Sequence, residues 1–329
     1  MGNEIAGGNG SGEVTSYNQN FADSFFSVYK RLHEEKEELK KIYKNSVMIE
    51  FEDLKELHYK TIQVITSLHP AQQSISVQIA LAHNEGEADK FSSFEKFAEH
   101  NSTSSTPTSE VRFKYNFILP DPVTQEISSW DIEIQVISRI AQLDQFEAEV
   151  PGFFPRSLFS QLLTPTAKIT VQHSDYVKAR SVVAMFDEWV KGRPETPRTQ
   201  IHALLKSYSH FIPLFGRFFL MALLAYSVIK AIDHSALDPQ LNIKFLVGYA
   251  SIFLIVTQLA GFILSRVEQS IDSYLPLSYI KMSKGDTKLI DGYSAKNRRA
   301  VLVSIAGIGA SIVLAVFSNY VYDFLKAHL

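Results

Sequence analysis

Hydrophobic and polar positions divide the chain into two unlike parts. Up to about residue 210 apolar residues alternate or recur at helical steps. From Phe211 onward they merge into three long runs, Phe211–Ile232, Ile243–Leu264 and Ala300–Tyr322. About twenty helical residues rise about 30 Å, the thickness of a bilayer's hydrocarbon core. The runs therefore predict three membrane spans.

In the polar part, Phe21, Phe25, Tyr29, Leu32, Leu39 and Ile42 predict an amphipathic helix over Asn20–Asn45, with Glu37 and Lys41 paired on its charged side. Val47 and Ile49 predict a short strand. Leu54, Leu57, Ile62, Ile65 and Leu68 predict a helix over Glu52–Leu68, stopped before Pro70. Alternation of Ile75, Val77, Ile79 and Leu81 predicts a strand over Ser74–His83, and Phe91, Phe94 and Phe97 predict helical turns. Asn101–Ser109 reads as a loop. Glu110–Leu119 and Glu126–Ser138 predict a hairpin, with Arg112 and Lys114 facing Asp131 and Glu133 across it. Helices follow over Arg139–Glu149, Pro155–Leu163 and Asp175–Lys191, with a strand over Thr166–His173 before the last.

These elements give an α+β cytosolic domain with a mostly antiparallel sheet of about five strands, followed by a C-terminal bundle of three transmembrane α-helices. Residues 1–18 are a flexible Gly- and Ser-rich tail, 19–194 a sensor or interaction domain, 195–210 a juxtamembrane linker helix and 211–329 the three-span domain, with a cytosolic loop over 265–299. Within that loop, Arg266–Ser283 is polar–apolar and interrupted by Pro276, a segment for the inner membrane face or for docking on the soluble domain.

Charge orients the spans. Lys and Arg concentrate before the first span and in the loop after the second, whereas the Asp233–Asn242 loop carries none. The soluble domain and long loop are thus expected in the cytoplasm and the C-terminus outside. Arg217 and Lys230 flank the uncharged stretch Phe218–Ile229 of the first span, and Arg266, Arg298 and Arg299 mark the inner interface. The second and third spans carry faces of small and polar residues. Gly248, Ser251, Gln258, Gly261 and Ser265 share one; Ser304, Gly307, Ser311 and Ser318, with Ala300 and Ala315, share the other. Such faces serve helix packing or line a polar path between assembled chains. Gln258 is the one amide deep in a span.

Composition removes several chemistries. There are no cysteines, so disulfides and thiolate-ligated metals are excluded, and the net charge of −3 carries no nucleic-acid signature. Met1–Ser16 lacks the basic start and apolar core of a signal peptide, and Ala6 stands where a myristoylation site has Ser or Thr. No phosphate-binding glycine loop, nucleophile elbow or closely spaced histidine pair is present; His202 and His210 are eight apart on a juxtamembrane helix. Asp121 with Glu133-Ile134-Gln135 resembles a metal-dependent nuclease pattern but has Gln135 in place of the lysine. Asn84–Asp89 is too short for a calcium loop. No catalytic residue, metal site or cofactor is assigned.

In architecture alone the chain is similar to bacterial membrane effectors of antiphage or stress systems. The expected function is a membrane-anchored sensor–effector. Its partners are the lipid bilayer, further copies of itself, and a protein or small signal at the cytosolic domain. The alternative is a membrane-tethered adaptor whose spans serve only as anchor.

Overall fold

A computed structural model describes residues 37–71, 73–84, 86–99, 103–120, 127–149, 165–196, 206–233 and 239–328. It contains two compact units.

The first unit is an α+β domain. Its strands are β1 (Glu37–Tyr43), β2 (Met48–Glu50), β3 (Ser76–His83), β4 (Ala88–Phe91), β5 (Thr108–Pro120), β6 (Ile127–Ile137) and β7 (Ala167–His173). Six of them form one sheet in the order β1-β7-β6-β5-β3-β4, every neighbouring pair antiparallel. Strict alternation puts Val111, Phe113, Tyr115, Phe117 and Leu119 of β5 on the same face as Trp130, Ile132, Ile134 and Val136 of β6, all buried. Two helices cover that face, α1 (Phe51–Ser67) and α4 (Tyr176–Lys191). Leu54, Leu57 and Ile65 of the first and Val182, Phe186 and Trp189 of the second complete the core. Both begin on side-chain caps. The Glu50 amide donates to Asp53 at 2.8 Å, and the Asp175 carboxylate accepts from the Val177 amide at 2.9 Å.

The opposite face is charged, and its cross-strand pairs run diagonally. Lys114 lies opposite Glu133 in register but reaches Asp131 at 3.2 Å; Arg112 lies opposite Gln135 but reaches Glu133 at 3.4 Å. Long side chains lean along the strand, so the diagonal neighbour is the better fit.

Four expectations about the first unit need correction. Residues 37–43 are an edge strand, where the sequence pattern predicts the end of a helix. Pairing with β7 supplies backbone hydrogen bonds, and Lys41 binds Asp187 at 2.6 Å in place of Glu37. The Lys- and Glu-rich composition that reads as a solvated helix face also suits a sheet edge protected from further pairing. The rest of that predicted helix, up to residue 36, lies outside the described residues, as does Pro155–Leu163. Phe91 closes β4, and helical structure starts only at α2 (Phe94–Ala98); Thr108 and Ser109 belong to β5 and are buried. The described sheet has six strands and not about five.

A second, two-stranded sheet joins β2 to β8 (Tyr279–Lys281). Residues Ile280–Gly285 belong to the first unit although they come from the segment between two long helices and the first two residues of the second helix. Ile280 is 1 % exposed within the same core as Ile49, and Met282 packs against that core. The Gly285 amide donates to the Ser104 carbonyl at 3.0 Å, and a Cβ there would overlap the Ser105 backbone, so only glycine fits.

The second unit holds α3 (Arg139–Glu149), α5 (Phe211–Asp233), α6 (Pro239–Ser273) and α7 (Lys284–His328). Most of the expected 265–299 loop is therefore helix: α6 runs on to Ser273 and α7 begins at Lys284. Val267 and Ile271 extend the buried face of α6 past the apolar run, and Pro276 bars further helix. Between them, Asn297 replaces the missing backbone partners of Leu275: its amide donates to the Leu275 carbonyl at 2.7 Å and its oxygen accepts the Leu275 N–H at 3.1 Å. Ile140 and Leu143 of α3 pack with Leu275, Leu277 and Tyr293.

Candidate functional site

Among the described residues two helices are long and apolar enough to cross a membrane, Val247–Ser273 within α6 and Lys284–Leu314 within α7. A shorter apolar stretch, Phe211–Tyr226, lies in α5. Pro213 sits in the first turn of α5, where no intrahelical N–H is lost.

α5 and α6 run antiparallel. Gly216 meets Leu264, the Arg217 guanidinium lies against Gly261, and Leu220 and Leu224 pack on Val256 and Ala260. The Tyr249 hydroxyl donates to the Leu224 carbonyl at 2.9 Å. α7 meets the same side of α6: Gly307 receives Val267 and Ile263, and the buried Ser270 hydroxyl donates to the Ala300 carbonyl at 2.8 Å. Glycine allows each close approach.

The two small-residue faces consequently differ. On α7, Ala300, Ser304, Gly307 and Ser311 lie on the side toward α6, and Ala300 is buried. On α6 the packed side carries Val256, Ala260, Leu264 and Val267, whereas Ser251 and Gln258 are exposed on the other, and Gly248 and Ser265 are half-buried. A Cβ built on Gly248 meets nothing, while one on Gly261 would collide with Arg217. Exposed Leu254, Ile255 and Phe262 flank Gln258.

Hydroxyls within these helices satisfy themselves. Ser251 donates to Val247, Thr257 to Phe253, Ser304 to Ala300 and Ser311 to Gly307, each to a carbonyl one turn back. An amide has no such outlet for both its N–H and C=O groups. Gln258 has no hydrogen-bond partner among the described residues. Arg266 is exposed with its guanidinium 5.2 Å over the Phe262 ring, and Arg298 and Arg299 are exposed on α7. The side chains of Lys230 and Ser318 lie outside the described residues.

The first unit shows a different chemistry. His58 on α1 stacks on Phe94 with centroids 4.3 Å apart, and its Nδ1 lies 3.1 Å from the Tyr115 hydroxyl. Burial holds the imidazole below its ordinary 6.5, against the opposing pull of the Glu95 carboxylate, and holds the Tyr115 phenol above its usual range. Asp187, bonded by Lys191 and Lys41, is held down at about 2. Arg193 stacks 5.3 Å over Trp189, binds Glu56 at 2.9 Å and pairs with Asp53, tying the end of α4 to the start of α1. Each is a packing arrangement within the first unit.

Other sequence candidates have ordinary surroundings. Glu133 accepts from Gln135 and pairs with Arg112, while Asp121 lies outside the described residues. In the acidic turn, Gly86 adopts a φ of 81°, and Asp89 belongs to β4, 3.7 Å from His83. No group of three metal-ligating side chains occurs among the described residues. The signal that separates the two faces of α6 was in the sequence as the position of Ala260, Leu264 and Val267, but which face finds a neighbour is a tertiary matter.

No protein-family model matches the chain, and neither a curated protein nor a solved structure matches it.

Proposed function

We propose that this protein is a membrane-anchored sensor–effector. Its α+β domain lies in the cytosol and answers a protein partner or small signal. α5, α6 and α7 are three spans, with the C-terminus outside, and assembled copies permeabilise the membrane. A role in bacterial antiphage or stress defence fits such an output.

One observation carries the reading: Gln258 is exposed on the side of α6 that neither α5 nor α7 covers. A primary amide left unpaired in hydrocarbon costs roughly 2–7 kcal/mol. A second copy supplying hydrogen-bond partners, or water along a path between copies, removes that cost. Ser251 and Gly248 on the same side permit close approach. Exposed Leu254, Ile255 and Phe262 beside them supply area for lipid or a neighbouring helix.

The test is depolarisation of expressing cells followed with a potential-sensitive dye, paired with oligomeric state in mild detergent. The wild-type chain is expected to self-associate and collapse the potential on induction, and Gln258→Leu to weaken both. A chain that remains monomeric and leaves the potential intact at every level of induction would favour the anchor-only adaptor and exclude this proposal.

A further inference from the structure

Arg217 is a cation placed inside an apolar helix, six residues after Phe211 and directly before the uncharged stretch Phe218–Ile229. Its guanidinium does not reach away from the neighbouring helix. Nε and one terminal nitrogen lie against Gly261 so closely that a Cβ on that residue would overlap them. The notch exists because position 261 is glycine. No carboxylate among the described residues pairs with Arg217. Arg217 is exposed on its outer side, so its N–H donors, with no carboxylate beside them, are open to an anion.

The surroundings have the same sign. Arg266 on α6, and Arg298 and Arg299 on α7, are exposed toward the same ends of their helices, as the Ser270–Ala300 bond sets the register. The carboxylates toward that end are Glu268 and Asp272 on α6 and Asp286 and Asp291 on α7, and Asp272 accepts a hydrogen bond from Ser209 at 2.7 Å.

We propose that Arg217, lodged over Gly261, is a binding site for small monovalent anions, so that the permeability proposed above, on which this inference rests, favours anions over cations. A permeating chloride meets the guanidinium donors at one level of the path. Potassium meets the same positive charge and is repelled.

Full-length protein reconstituted in vesicles under a potassium chloride gradient provides the first arm. The reversal potential is expected to show chloride preference. Arg217→Gln reduces the chloride-to-potassium ratio on the order of a hundredfold, because one unit charge about 10 Å from the path at an effective dielectric of about 20 favours chloride and disfavours potassium by roughly tenfold each. Arg217→Lys retains most of the preference. A potassium-selective leak, or equal selectivity in wild type and Arg217→Gln, overturns the proposal while leaving permeabilisation intact.

The second arm needs no leak. Thermal stability in a phosphate-free maltoside detergent is compared in chloride and in gluconate, with and without added phosphatidylglycerol. Stabilisation by chloride that Arg217→Gln abolishes supports the site. If that stabilisation appears without any leak, the permeability reading fails and the anion site stands. Arg217-dependent stabilisation by phosphatidylglycerol alone would identify a lipid phosphate as the occupant and overturn the permeating-anion assignment.

Discussion

At His58 burial outweighs the pull of the nearby Glu95 carboxylate and decides its protonation. It is 7 % exposed, stacked on Phe94 and in contact with the Tyr115 hydroxyl. Because burial holds its folded pKa below the unfolded 6.5, the unfolded chain takes up the proton first as pH falls. The stability it contributes is complete above that value. It is lost as pH drops through it toward the lower folded value. His58→Gln should flatten the fall in urea midpoint between pH 7 and pH 5; equal slopes for the two proteins would remove His58 as the cause. Arg193 is the second informative residue, its side chain 11 % exposed between Asp53, Glu56 and the Trp189 ring. Arg193→Ala should cost on the order of 1 kcal/mol in urea denaturation, because it removes the guanidinium that pairs with Asp53 and stacks on Trp189, while Glu56 keeps Lys60 at 2.7 Å. Arg193→Lys should recover only a part, since an ammonium lacks the planar fork that bridges two carboxylates.

At the scale of elements, legibility follows periodicity. β5 and β6 are fully evident from alternation, and α1 and α4 from helical spacing with their stops. β1 and β8 are not. The Leu39 and Ile42 spacing of β1 suits a helix as well as a strand, and only β7 as a partner settles it. β8 is three residues long, too short for any period, and lies in a segment otherwise readable as a membrane-proximal connector. Its burial makes a sharp prediction. Ile280→Ala should destabilise the α+β domain by about 2–4 kcal/mol, as for a core residue, measured by denaturant unfolding. A change within about 0.5 kcal/mol, typical of an exposed loop position, would show that β8 does not seat in that core. Among the membrane-length helices, sequence shows that α6 and α7 each have a small-residue side; the contacts of Val267 with Gly307 and of Ser270 with Ala300 assign the α7 side to packing within the chain.

At the scale of the whole molecule, the chain passes repeatedly between its two units, and Ile280–Gly285 is the smallest piece of the first. A fragment ending at residue 194 therefore lacks β8 and uncovers Ile49. That fragment should be less stable than one carrying residues 276–286 on a flexible linker, and a 276–286 peptide added in trans should raise its melting temperature. Replacing everything after residue 210 with an unrelated anchor should also fail through loss of β8, whatever the helices do in the membrane. Identical melting of the fragments with and without the peptide would contradict this.

Sequence by itself determined the composition of the parts: an α+β domain with an antiparallel sheet, and apolar C-terminal helices of membrane length. Both follow from local quantities, the period of apolar residues and the length of an uninterrupted run. Tertiary structure decided what no local quantity can. It paired β1 with β7, drew Ile280 into a core assembled from residues between Tyr43 and Val190, set Arg217 against Gly261, and left Gln258 uncovered. These outcomes depend on which surfaces meet, and burial rewards a meeting of surfaces without regard to distance along the chain.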